Sequence, residues 1–179
     1  MEINPDGEAI VISVEPFEVG ILRDLANQLL DITAPDSEVV NNEDPLAALI
    51  GIDVLAQKPS DPIASRLFPD AYPDDPEASM EFRRFTERSL RETNVNRANS
   101  VLADLEGRSQ VTLGPDQWQL WVGFLNSLRL ALGTRLEVAQ ETWTQERSEE
   151  DPLYQLFELY NWLTWMQETI ISIGFFRGE

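Results

Sequence analysis

Residues 108–138, "RSQVTLGPDQWQLWVGFLNSLRLALGTRLEV", decide how this chain is to be read. "RSQVTL" (108–113), with β-branched Val111 and Thr112, predicts a short strand. Pro115 then opens a helix running to about residue 138, the ring's fixed φ and missing N–H being harmless in a first helical turn. At 100° per residue, Trp118, Trp121, Leu125, Leu128, Leu132 and Leu136 share one face. Arg129 falls inside that arc and Arg135 near its far margin, while Asn126, Arg129 and Gly133 form a second line. Two guanidinium groups in an apolar stripe need partners. The structural reading supplies carboxylates or helix carbonyls from a packed neighbour, with Gly133 small to admit another helix. The functional reading makes Arg129 an anchor for an anionic ligand or a partner's carboxylate. The structural reading is preferred, with Glu158, Glu168, Glu81 and Asp24 as candidate partners for a largely buried Arg129.

The same grammar recurs near the amino terminus. "EAIVISV" (8–14) reads as a strand, and a proline turn leads into a helix carrying Leu22, Leu25, Leu29 and Ile32. At an offset of 99, Val14, Pro16, Leu22 and Leu29 match Leu113, Pro115, Trp121 and Leu128. Any two strand–proline–helix units would share most of this; if they are related by a two-fold, their strands pair antiparallel. Residues 33–43 form a polar connection. Four Asp-Pro dipeptides, at 44, 61, 75 and 151, each fit a capping carboxylate followed by proline at the first helical position. They predict short helices at 44–50 and 61–67 and long ones from 75 to about 105 and from 151 to about 173, the last after a charged link at 144–150. The expected fold is therefore mainly α: one domain over 1–179, a helical bundle with a two-stranded antiparallel ribbon pairing about 9–14 with 109–113.

Composition narrows the chemistry. The 179 residues include 32 acidic and 13 basic side chains, a net charge of −19, with 42% hydrophobic residues. Nucleic acid and anionic membrane are disfavoured as partners, because both are bound by exposed Lys and Arg. A transcription regulator is disfavoured on the same ground, there being no basic recognition helix. Cysteine and histidine are absent, which removes disulfides, thiolate zinc sites and Cys or Ser–His nucleophiles. No signal-like amino terminus and no uncharged apolar run of membrane-spanning length is present, so a cytoplasmic location is expected.

Other segments were weighed for ligands. "PDAYPDDPE" (69–77) clusters four acids but lacks the calcium-loop ligand series, and turn and capping roles account for Asp75 and Glu77; no metal and no cofactor is expected. No Walker or Rossmann glycine pattern occurs, and nothing marks out a carboxylate pair for glycoside chemistry. Half of one broad face of the 75–105 helix is polar, with Arg83, Asn94 and Arg97 beside Leu90, Ala98, Val101 and Leu105. It is read as a solvated edge in preference to a polar groove. "LYQLFELYNWLTWMQETIISIGFF" (153–176) is apolar on almost every side, which makes it the central helix of the bundle or, alternatively, half of a homodimer interface through 153–173.

Four segments, "DPLAALIGID" (44–53), "LFPDAYPDDPEASMEFRRFTE" (67–87), "LNSLRLALGTRLEV" (125–138) and "LYNWLTWMQE" (159–168), resemble an actinobacterial domain-of-unknown-function family commonly encoded beside the ClpS adaptor of the Clp protease. The resemblance runs nearly end to end. It carries over Asn126, Arg129, Gly133 and Arg135, with Tyr72, Phe82, Arg83 and Arg84, as signature positions without an assigned role. It implies a cytoplasmic protein and a link to regulated proteolysis. The reading that follows is a non-catalytic interaction or regulatory protein with a protein partner. The alternative is a small-anion binder or enzyme using an Arg and carboxylate site near Arg129. The candidate ligand, partner or salt-bridge residues are Arg129, Arg135, Asn126, Arg83, Arg84 and Tyr72.

Overall fold

A computed structural model describes residues 1–34, 56–138 and 147–175. The helix expected at 44–50 lies outside these residues. The chain begins with a hairpin, β1 (Glu2–Asp6) and β2 (Ala9–Ser13), in the register Glu2↔Ser13 to Asp6↔Ala9. Gly7 supplies the left-handed conformation (φ 55°) that the two-residue turn requires. β2 also pairs antiparallel with β3 (Gln110–Leu113), placing Ile10 opposite Leu113 and Ile12 opposite Val111. The expected ribbon is present, in the antiparallel sense, but it belongs to a three-stranded sheet ordered β1-β2-β3. "EINPD" shows no alternation, and its Pro5 is tolerated because β1 is an edge strand.

Five helices follow among the described residues: α1 (Pro16–Thr33), α2 (Pro62–Leu67), α3 (Pro76–Asp104), α4 (Gln117–Arg135) and α5 (Tyr154–Phe175). Asp61 and Asp75 cap as their sequence context predicts, accepting from the backbone N–H of Ala64 at 2.8 Å and of Ala78 at 3.0 Å. Asp151 instead closes a turn, accepting from Leu153 N at 2.8 Å, and α5 begins only at Tyr154. At α1 the Glu18 carboxylate accepts from Glu15 N at 2.8 Å and lies 2.5 Å from the α-amino group of Met1, in a buried pair.

The central helix is α4, not α5. It packs against α5 on one side and against α3 and α2 on others, while α1 covers α3. Trp121, Phe124 and Leu125 are fully buried, and with Leu22, Leu29, Ile10, Ile12, Val111, Leu113, Leu163, Met166 and Ile170 they form one hydrophobic cluster. α5 rests on α4 and reaches β1 and β2, leaving Glu158, Asn161, Trp165, Glu168 and Ser172 outward. Its tyrosines and tryptophans made it look apolar all round, but amphipathic rings at half-buried flanks account for the pattern. No helix among the described residues is long and apolar enough to cross a membrane.

Candidate functional site

The arginine that opened the question lies at the seam between α4 and α5. Arg129 is half-buried, and its partners among the described residues are all neutral. Its Nε donates to Thr164 Oγ1 at 2.9 Å, one Nη donates to Gln167 Oε1 and the other reaches Tyr160 Oη at 3.4 Å. The guanidinium carbon also sits 5.4 Å from the centre of the Tyr160 ring. No carboxylate among the described residues pairs with Arg129, and the expected candidates Glu158, Glu168, Glu81 and Asp24 are all exposed. The reason is helical phase. The positions of α5 facing Arg129 are 160, 164 and 167, one turn apart, and the acids at 158 and 168 fall on the outward stripe. Gln167 is fixed in turn by donating from Nε2 to Val122 O at 3.1 Å.

The remaining α4 candidates do not converge on that seam. Asn126 and Arg135 are exposed, with no hydrogen-bond partner among the described residues. A Cβ on Gly133 would meet Tyr160 Cε2 at 3.6 Å, ordinary contact, so Gly133 is not the glycine that closeness demands. Closer approaches occur at Gly174, where a Cβ would lie 2.9 Å from the Trp118 ring, and at Gly123, where it would lie 2.5 Å from Nε of the flexible Arg97 side chain.

Arg83 and Arg91 organise a second constellation at the junction of α1, α2 and α3. Buried Arg83 pairs with Glu87 and with Asp70 at 2.8 Å, and donates to Phe68 O at 3.1 Å. Glu87 also binds Arg91 at 2.7 Å. Arg91 donates to the carbonyls of Thr33 and Ala34 at the end of α1, at 3.2 and 3.0 Å, and stacks over Phe68. A cation therefore meets the negative end of the α1 dipole from a neighbouring helix. Burial pulls the Arg83 pKa down, but the hydrogen bonds it donates to Glu87 and Asp70 outweigh that and leave it above the usual arginine value. The polar face of α3 is thus no solvated edge. Ser79, Arg83, Glu87, Asn94 and Asp104 are buried, and Asn94 accepts from Ser127 Oγ of α4 at 2.6 Å. The expectation failed because Ser79, Arg83, Asn94 and Asp104 meet partners outside α3, which the α3 sequence alone does not display, while Glu87 is held between Arg83 and Arg91 of α3 itself.

Two further features were not foreseen. Asp104, buried at the end of α3, accepts from Trp121 Nε1 at 2.8 Å and from Gln117 Nε2 at 2.7 and 2.8 Å. A shallow open groove of about 430 Å³ lies beside Lys58, Arg66, Asp70 and three prolines. Arg84 is half-buried, and its Nε has no partner among the described residues. Tyr72 is exposed, edge-on to Phe82 with ring centres 6.0 Å apart.

Asp70 makes the Arg83 constellation sensitive to acid. Hydrogen bonds from Lys58, at 2.5 Å, and from Arg83 hold its carboxyl below the usual carboxylate value. A depressed folded pKa contributes stability above the unfolded value, and that contribution is lost as pH falls through the folded one. Asp70→Asn should therefore lose stability near neutrality yet show a flatter decline below about pH 4 than the parent chain. Urea unfolding of both proteins at stepped pH checks this, and parallel curves would contradict it.

A three-stranded antiparallel sheet on a helical bundle, with arginines drawn into its helix seams, is the class of structure that the described residues define. The chain belongs to the family described as a domain of unknown function, DUF2017, whose model matches residues 1–173. It is 31% identical over 185 residues to the "Oxidative stress regulator AosR" of Mycobacterium tuberculosis and, equally, of Mycobacterium bovis. In each case the match covers 94% of this chain and 83% of the relative. No solved structure matches the chain.

Proposed function

We propose that this chain is a cytoplasmic regulatory protein that acts by binding another protein, with no catalytic step of its own. The observation that carries the proposal is the state of Arg129. In a chain with 32 acidic residues, a half-buried guanidinium is held by three neutral oxygens and by no carboxylate among the described residues. Three of its five N–H groups are engaged, and a charge removed from water is ordinarily paired. The vacant pair suits a carboxylate from a partner, bound in the forked geometry that arginine favours. The relatives named as oxidative stress regulators support a regulatory role. This chain has no cysteine, so an oxidative signal would reach it through its partner and not through a thiol of its own. The net charge of −19 favours a protein over nucleic acid as that partner. A connection to Clp-dependent proteolysis rests on the family resemblance alone.

The enzyme reading needed a carboxylate beside Arg129, and none of the described residues supplies one there. Unfolding of Arg129→Leu separates a binding role from a structural one. The account expects a loss of about 1–2 kcal/mol, the cost of leaving buried Gln167 without its donor. A loss of about 3–5 kcal/mol, the range for breaking a buried ion pair, would make Arg129 a structural cation and count against the proposal.

A further inference from the structure

The outer face of α3 presents an apolar feature that neither the core nor the Arg129 seam explains. Phe82 and Phe85 are 44% and 57% exposed, and Tyr72, 49% exposed, packs edge-on against Phe82. Phe82, Phe85 and Ser89 fall within an arc of about 60° on the helix, opposite the buried line of Arg83, Glu87 and Asn94, and Tyr72 is contributed by the segment before it. Aromatic rings grouped on a monomer surface mark an interaction site more often than single exposed ones do.

We propose that this face pairs with the same face of a second copy, the two α3 helices crossing antiparallel about a two-fold near Phe85. Charge is the argument for a second copy. A partner at −19 is repelled by most of this molecule, but residues 77–92 carry four glutamates and four arginines and are locally neutral. Beyond a Debye length of about 8 Å at physiological salt, the remaining charges are largely screened. The stripe is also self-complementary. Glu81 and Arg88 lie on one flank of the Phe85 line, four residues before it and three after. An antiparallel two-fold therefore brings Glu81 of each copy toward Arg88 of the other, as an isologous interface requires. Arg88 already binds Glu92 in its own chain at 3.0 Å, so the second contact extends a surface network without burying an unpaired charge. α5, the sequence-based candidate for a homodimer, turns Glu158, Asn161, Glu168 and Ser172 outward, with Trp165 and, at its last position, Phe175 as the large apolar side chains on that stripe.

Three aromatic side chains and their surroundings form a small interface, so the association is expected to be weak and concentration-dependent. Sedimentation equilibrium from about 1 µM to about 1 mM, at about 0.15 M salt, should show the mass rising from 20.3 kDa toward twice that value. Phe85→Glu, at an exposed position that leaves the core intact, should raise the dissociation constant about 30-fold or more. Glu81→Arg should weaken association, and Glu81→Arg combined with Arg88→Glu should restore it. A wild-type chain that stays monomeric throughout the range overturns the proposal. So does a dimer unaffected by Phe85→Glu, or one lost on Trp165→Glu instead, which would place the contact on α5.

Discussion

Arg83→Ala should lower the free energy of unfolding by about 3 kcal/mol, the lower end of the range for breaking a buried charge pair. The lower end applies because neither acid is abandoned outright: Glu87 keeps Arg91 and Asp70 keeps Lys58. What is lost is the shared guanidinium, together with the donor to the buried Phe68 carbonyl. Lysine at the same position should recover little, since one ammonium cannot span Glu87, Asp70 and a carbonyl in the plane that the fork provides. Arg83→Met with Glu87→Gln should recover more, because it removes buried charge from both sides. The five tryptophans make urea unfolding straightforward to follow by fluorescence. Loss of less than about 1 kcal/mol, as for an exposed pair, would show that the constellation is solvated in solution.

Trp121→Phe should be comparably costly, at about 3 kcal/mol. The ring is fully buried beside Phe124 and Leu125, so a smaller aromatic leaves a void. Its indole N–H also donates to Asp104, whose carboxylate is satisfied only by neutral donors among the described residues. A hydrogen bond to a charged group contributes about 1.5–3 kcal/mol, more than half of the expected loss. The double variant Trp121→Phe with Asp104→Leu therefore should cost clearly less than the sum of its two single changes. Strict additivity would mean that the Trp121–Asp104 bond contributes nothing.

These energetics explain what could be read from the chain and what could not. The β2–β3 pairing was legible because both runs carry β-branched residues and both end at a proline turn, a local pattern. The caps at Asp61 and Asp75 were legible because the accepting carboxylate and the backbone N–H that donates to it lie three residues apart. β1 was not, since "EINPD" has neither alternation nor bulk and is held by its neighbour strand. The Arg83–Glu87–Arg91 ladder had a signal in its spacing of four; its burial did not, because Asp70, Phe68 and the end of α1 come from elsewhere in the sequence. Periodicity placed Arg129 inside the apolar arc and predicted it largely buried, whereas it is half-buried at the seam between α4 and α5. It could not name Tyr160, Thr164 and Gln167 as partners, because that depends on how α5 is rotated against α4.

The direct test is a comparison of captures from a lysate of the source organism by the wild-type chain and by Arg129→Gln. The tag belongs at the carboxyl terminus, because the α-amino group of Met1 is buried against Glu18. The account predicts one protein recovered in stoichiometric amount by the wild type and lost from Arg129→Gln, while the two chains unfold within about 2 kcal/mol of each other. Equal recovery by both chains, or recovery of a small anion and no protein by the wild type, would contradict it.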